Sequence, residues 1–277
     1  MGLKTYNAYT SGIRQRVDID RSDLWKGSPF KKLCVGLSAK GGRNSNGHMT
    51  VRHRAAYGKK TYRIISFDRR FLEDTPVKVV RIEYDPNRTC HIALVEYEKN
   101  SKLEHAYILA PDKVKTGDIL HTSLTKKVDL KPGNSMPVGL IRDGTHVHNI
   151  ELKIGAGGAL ARSAGASAQI LGQDLGRVIL RLSSGELRYV HKSCMATVGV
   201  LSNLDHCNVV LGKAGRSVWR GWRPSVRGIA MNPVSHANGG RTNGGKHFSS
   251  PNGLCAKGLR TRRNNRTTKD RIKRRSK

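Results

Sequence analysis

Between Thr61 and Leu109 apolar and polar side chains trade places at nearly every second residue, the period of a strand with one buried face. Four segments carry the pattern: TYRIISF (61–67), VKVVRIEY (77–84), CHIALVEY (90–97) and EHAYIL (104–109). They are rich in β-branched and aromatic residues and are parted by turn residues such as Asp85, Pro86 and Asn87. Short strands at this spacing predict a small barrel. After the turn Lys131-Pro132-Gly133-Asn134 a second series begins, with THVHNIEL (145–152), SAQIL (167–171), RVILRL (177–182) and LRYVH (187–191). Ser183-Ser184-Gly185-Glu186 suits a hairpin between the last two. Helical periodicity is nearly absent, and only ALARSAGA (159–166) predicts one short helical turn. The expected fold is all-β, two barrels in series.

Outside these segments the alternation stops. The first forty residues read as irregular, and SAKGGRNSNGHMTVRHR (38–54) is a glycine, asparagine and basic stretch leading into the first barrel. From Cys207 to Lys269 there is not one Asp or Glu, while thirteen Lys and Arg accumulate. The last 22 residues hold 11 basic side chains against the single Asp270, with only Leu259 and Ile272 as large apolar groups, too few to fold alone. Eleven of the 20 acidic residues lie between Asp68 and Asp129, which marks that part as core-forming.

Charge narrows the partners. Lys and Arg number 51 against 20 Asp and Glu, and a formal charge of +31 repels itself in a compact monomer unless a polyanion binds. No run approaches the roughly 18 apolar residues of a membrane span, and the basic segments lack an apolar face, so nucleic acid fits better than a membrane. Aromatics at 5% and 30 glycines favour close backbone approach to phosphates over base stacking. The five cysteines are scattered without a CxxC, which argues against a disulfide framework and for a reducing compartment. The first twenty residues have no apolar run for secretion, and their aspartates argue against a cleaved organelle presequence.

Several constellations carry candidate chemistry. His236, in MNPVSHANGG (231–240), could serve as a general base, but no acidic orienter lies near it in sequence, and the glycine-rich loop favours a hydrogen-bonding or stacking contact. His191, Cys194, His206 and Cys207 pair HxxC with HC, a spacing atypical of zinc, and no metal site is expected. His146 and His148 share a strand face by the period of two, yet two ligands do not make a site. IGAGGALARSAG (154–165) lacks both the GK[ST] ending of a Walker loop and the GxGxxG register, so its glycines serve close packing or RNA approach. The strongest signal is KAGRSVWRGWRPSVRGIAMNPV (213–234), where Arg216, Arg220, Arg223 and Arg227 recur among Trp219, Trp222 and Pro224. Gly221 and Pro224 disfavour a regular helix, which predicts an extended strip whose guanidinium groups clamp phosphates and whose tryptophans anchor it.

GKAGRSVWRGWRPSVRGIAMNPVSHANGG closely resembles the C-terminal signature of bacterial-type ribosomal protein L-two, the second universal large-subunit protein. GGRNSNGHMTVRH (41–53), RIEYDPNRT (81–89), YILAP (107–111), KPGN (131–134), VHNIE (147–151), LARSAG (160–165) and the terminal RRSK resemble the same family in the same order, over essentially the full length. The resemblance implies an irregular extension (1–40), an RNA-binding OB-fold domain (41–125), an SH3-like barrel (126–205) and a basic extension (206–277) threading into rRNA near the peptidyl transferase region. It further implies a primary rRNA binder linked to subunit association, tRNA binding and support of peptide-bond formation. The implied partners are large-subunit rRNA, small-subunit rRNA at the intersubunit bridge and other ribosomal proteins, with no membrane, no DNA and no cofactor beyond magnesium on the rRNA. A free DNA-binding or chromatin-like protein is the competing class. The residues expected on rRNA are Arg43, Arg52, Arg54, Lys59, Lys60, Arg88, Arg162, Lys213, Arg216, Trp219, Arg220, Trp222, Arg223, Arg227, Asn232, His236, Arg241 and Lys246. Lys257, Arg260, Arg262, Arg263, Arg266, Arg271, Lys273, Arg274 and Arg275 of the tail complete the set.

No enzyme activity is expected. A direct peptidyl transferase role has been suggested for the family and is disputed, and His236 occupies the histidine position of that suggestion. The family pattern MNPVDHPHGGGEG is here MNPVSHANGGRTNG, so the carboxylate before His236 is Ser235 and the companion histidine is Asn238, which weakens acid–base chemistry. In RHRAAYGKKTYR (52–63), where the family usually shows a glycine triplet and a histidine, Ala55, Ala56 and Tyr57 should alter how closely the backbone can meet RNA. LKTYNAYTSGIRQ, DRSDLWKG and YVHKSC resemble alphaproteobacterial members, from whose lineage mitochondrial copies descend. The family pattern starts almost at Met1, leaving an organelle-encoded mitochondrial protein, favoured by the eroded motifs, or a bacterial cytoplasmic one.

Overall fold

In the computed structural model, residues 2–240, 247–258 and 268–274 are described. The first barrel is built on the strand Ile92–Lys99, which pairs antiparallel with Val77–Glu83 on one side and Lys102–Leu109 on the other; Ile119–Leu120 pairs with Val77–Glu83. The run Ile92, Ala93, Leu94 and Val95 is apolar throughout because both faces are covered. Ala93 and Val95 join Leu72, Val77, Val79, Ile108 and Leu120 in one core, while Ile92 and Leu94 join Ile65, Tyr107 and Leu201 in another. Alternation along a single strand thus serves two cores. Tyr107 is fully buried, and its hydroxyl contacts the Glu83 carboxylate at 3.0 Å and accepts the Phe30 N–H at 2.8 Å.

The second barrel is a seven-stranded antiparallel sheet in the order Arg271–Lys273, Leu187–His191, Arg177–Arg181, Ala168–Asp174, His146–His148, Met195–Val198, Ser135–Pro137. Val147, Ile170, Val178, Leu180, Val190 and Val198 point into its core. The hairpin across 183–186 forms as expected, with Gly185 in the left-handed region at φ +81. THVHNIEL is not one strand: Asn149, at φ +50, breaks it into His146–His148 and Ile150–Glu151. ALARSAGA forms no helical turn, since Ala161 (φ +51) and Gly165 (φ +64) leave helical space, and Gly158–Leu160 is instead a strand paired with Ile150–Glu151. The chain is therefore all-β, an OB-type barrel followed by an SH3-like one, with two short α-helices among the described residues, Ser11–Arg14 and Ala214–Trp219. None of these helices is long and apolar enough to cross a membrane.

Glu151, 1% exposed, ties the barrels together. It accepts from Arg70 Nη2 (3.1 Å), Gly157 N (3.0 Å) and Met195 N (3.0 Å), which satisfies a carboxylate removed from water. The N-terminal stretch adds a ribbon, Leu3–Thr5 with Val17–Ile19, and Cys34–Leu37 pairs with Lys60–Arg63.

By its internal contacts the chain resolves into two units. One comprises Met1–Ser38, Lys59–Gly212 and Lys269–Lys277, and holds both barrels. The other comprises Ala39–Gly58 and Lys213–Thr268. The sequence of this second unit contains sixteen Lys and Arg and not one Asp or Glu.

Candidate nucleic-acid interface

The acid-free unit is assembled from two segments distant in sequence. Ala55 N–H donates to Gly221 O (3.0 Å), Arg223 N–H to His53 O (3.1 Å), and Arg54 bridges Trp222 across this antiparallel contact. The Arg54 guanidinium lies 4.0 Å from the centroid of the Trp222 ring, and Lys213 Nζ lies 4.9 Å from that of Trp219. Each tryptophan, about half exposed or more, gives a face to a cation and thereby fixes where that charge sits. Gly221 makes the crossing possible: its φ is +93, and a side chain there would press on Tyr57 and the Ala55 carbonyl.

The strip 213–234 is not extended throughout. Ala214–Trp219 is a short helix that ends at Arg220, and only beyond it does the chain straighten. Gly221 and Pro224 lie past its end, so they terminate a helix rather than prevent one. Arg216 is half-buried on that helix, whereas Arg220, Arg223 and Arg227 are exposed. Arg43, Arg52, Arg54, Lys213 and Lys257 are exposed in the same unit, with Arg43 Nη1 donating to Gly41 O (2.6 Å) and Lys257 Nζ 4.4 Å from the Phe248 ring.

His236 sits in a loop closed by its own backbone, its N–H and that of Ser235 both donating to the Asn232 carbonyl. Its Nδ1 accepts the Asn238 N–H at 3.0 Å. A neutral imidazole so engaged carries its proton on Nε2 and offers no free lone pair there to abstract one. No carboxylate belongs to the unit to orient it otherwise.

In the barrel unit, Arg162 lies 4.5 Å and Arg88 5.5 Å from the Phe67 ring centroid, two guanidinium groups on one aromatic side chain. Arg162 is exposed. Arg88 is committed to the protein as well, through a 2.8 Å pair with the fully buried Asp85 that also caps the turn at Asn87. Lys59 and Lys60 enter the strand Lys60–Arg63, and Arg271, Lys273 and Arg274 lie in or beside the C-terminal edge strand. Arg241, Lys246, Arg260, Arg262, Arg263, Arg266 and Arg275 lie outside the described residues.

The residues weighed for other chemistry are dispersed. Cys194 is buried in the second core, its thiol pushed up to about 11 by burial, while Cys207 is exposed in the turn Leu204–Asn208. His146 is exposed and His148 buried. Among the described residues no group of three or more His, Cys, Asp or Glu is gathered to hold a metal. The 154–165 glycines pack against protein: Gly158 N–H donates to Phe67 O (3.1 Å), and a side chain there would collide with Asn149. Sequence reasoning passed over Phe67, Gly228 and the Asn238 amide, whose roles depend on partners 9 to 95 residues away or on a ring stacked overhead. Gly228, lodged in a basic strip, and Asn238, a departure from the family pattern, left a trace in the sequence.

Two family models match this chain, the RNA binding N-terminal domain of ribosomal proteins L2 over residues 30–122 and the C-terminal domain of ribosomal proteins L2 over residues 131–256. The chain belongs to the ribosomal protein L2 family. It is similar to the large ribosomal subunit protein uL2 of Methylocella silvestris, 54% identical over 272 residues covering 97% of this chain and 95% of the relative. The uL2 proteins of Rhodospirillum centenum (51% over 280 residues, the full length of both) and Bartonella henselae (53%, covering 97% and 96%) are similarly close. As an L2 family member the chain is a structural ribosomal protein, and its N-terminal barrel is an RNA-binding domain.

Proposed function

We infer that this L2 chain, a structural constituent of the large ribosomal subunit, holds rRNA chiefly by phosphate contact, the barrels positioning it and the acid-free unit and tail gripping. The observation that supports this most is the segregation of charge: a compact unit with sixteen cations has no internal carboxylate to neutralise them. The exposed arginines of 43–54 and 213–227, with Arg162 and the tail, form the proposed contact set; Arg88 contributes through its stack with Phe67 rather than as a free charge. Small-subunit rRNA at the subunit bridge is a proposed further partner, and the domain limits 41–125 and 126–205 are proposed for the OB-type and SH3-like parts. The relatives are bacterial, which favours a bacterial cytoplasm over the mitochondrial compartment that the altered motifs suggested. The genome in which the gene lies decides between them.

Binding of the purified chain to an rRNA fragment should weaken by about 10³–10⁵ between 50 and 200 mM salt if ~6–10 phosphates are neutralised. A flat salt dependence would sink the phosphate-led mode. Sedimentation of the endogenous chain with chromosomal DNA rather than large subunits would overturn the ribosomal assignment.

A further inference from the structure

The loop 231–240 is held in shape by its own hydrogen bonds. Beyond the turn at Asn232, Gly239 N–H donates to His236 O (2.9 Å) and Gly240 N–H to Met231 O (3.0 Å). Gly228 lies flat beneath the imidazole, so close that any Cβ at that position would overlap the ring. The Asn238 side chain fastens the loop to a second stretch: Nδ2 donates to His247 O (3.1 Å), and Oδ1 accepts Ser249 N–H (3.3 Å). An amide used at both ends in this way imitates a pair of strand hydrogen bonds, and it holds the Asn238 backbone where its N–H meets His236 Nδ1. Among the described residues no acceptor takes the Nε2 proton. The ring therefore has its stacking face, its tautomer and its direction set by groups of the protein itself.

We propose that Asn238 is a positioning residue that makes His236 a fixed hydrogen-bond donor, through Nε2, to a phosphate oxygen of the bound rRNA. This rests on the rRNA-binding reading above. Phosphate is the acceptor favoured because the unit gathers cations without a carboxylate, and most protein contacts to nucleic acid in such a field go to the backbone. A base edge would use the same donor and is separated from it by the test.

Large subunits assembled with variant chains are probed with hydroxyl radicals for backbone protection and with base-specific reagents for base edges. His236→Gln, which keeps an N–H donor at similar reach, retains the wild-type pattern. His236→Phe, which keeps a flat ring but no donor, weakens protection about tenfold at a short run of nucleotides and nowhere else. Asn238→Ala gives a similar local loss with wild-type protection elsewhere, and adds nothing further in the His236→Phe background, because it acts through the imidazole. Asn238→Ser is read in the same way should Asn238→Ala chains fail to enter the subunit.

Unchanged backbone protection with Asn238→Ala, full protection with His236→Phe, or losses visible only to the base reagents would each overturn the proposal. If the wild-type chain protects no rRNA at all, it is the rRNA-binding reading that falls, and the two failures are told apart.

Discussion

An imidazole buried away from water is penalised only when it takes a proton. His148, wholly buried and donating through Nδ1 to the Gly199 carbonyl (2.8 Å), is pushed down to about 4 by burial, with the Arg69 charge adding to the effect. His91 is likewise lowered to about 4, by burial first and then by Arg21 and His206. Both stay neutral in the fold while the unfolded chain protonates near ~6.5, so the unfolded state binds more protons below that value. Stability is therefore full above about pH 6.5 and falls steadily toward pH 4; urea melts across this range should show it, and His148→Gln should flatten the slope. At this scale the sequence was least readable. HVH announces a strand, but whether each histidine faces solvent or core depends on what covers the sheet. The Asn238 amide was legible only as a departure from its family, since its partners at 247 and 249 come from folding.

At the scale of elements, the strand series was legible because alternation and turn chemistry agree, most clearly in Val77–Glu83 and Arg177–Arg181. Ile92–Lys99 was recognisable as a strand although its buried half does not alternate. What escaped was the pairing of 53–55 with 221–223, a non-local contact with no period to announce it; its trace was composition, two acid-free stretches that fold together. Gly221 is the pivot of that crossing. Gly221→Ala, strained at positive φ and crowded against Tyr57, should destabilise the second unit by about 1–3 kcal/mol while the barrels melt as before. Limited proteolysis within 39–58 would read that selectivity. Trp222→Ala should loosen the same segment by about 0.5–1 kcal/mol beyond its lost packing, by releasing the Arg54 guanidinium.

For the molecule as a whole, the buried Glu151 carboxylate is one of several ties between the two barrels, beside the packing of Leu201 against Ile92 and Leu94 and the Gly158–Phe67 hydrogen bond. Glu151→Ala strands the Arg70 charge and two backbone N–H groups, and should cost about 3–5 kcal/mol, seen as a drop in Tm of the RNA-free chain. RNA affinity at low salt should change far less, because the cations that supply it are elsewhere. Conversely, Arg223→Ala and Arg227→Ala should each reduce the slope of log affinity against log salt by about one and leave Tm nearly unmoved. Stability and grip are separable properties of this chain.

The strand Arg271–Lys273 closes the edge of the second sheet beside Leu187–His191, with Tyr189 N–H donating to Asp270 O (2.7 Å) and the Asp270 carboxylate 3.9 Å from both Arg177 and Arg188. During synthesis that edge stays open for some eighty residues of further translation after Leu187 to His191 has been made. An unpaired edge is the part of a sheet most prone to join another chain. The one acid in the tail thus does its work in time as well as in space, by recalling the last-made strand to the barrel that has been waiting for it.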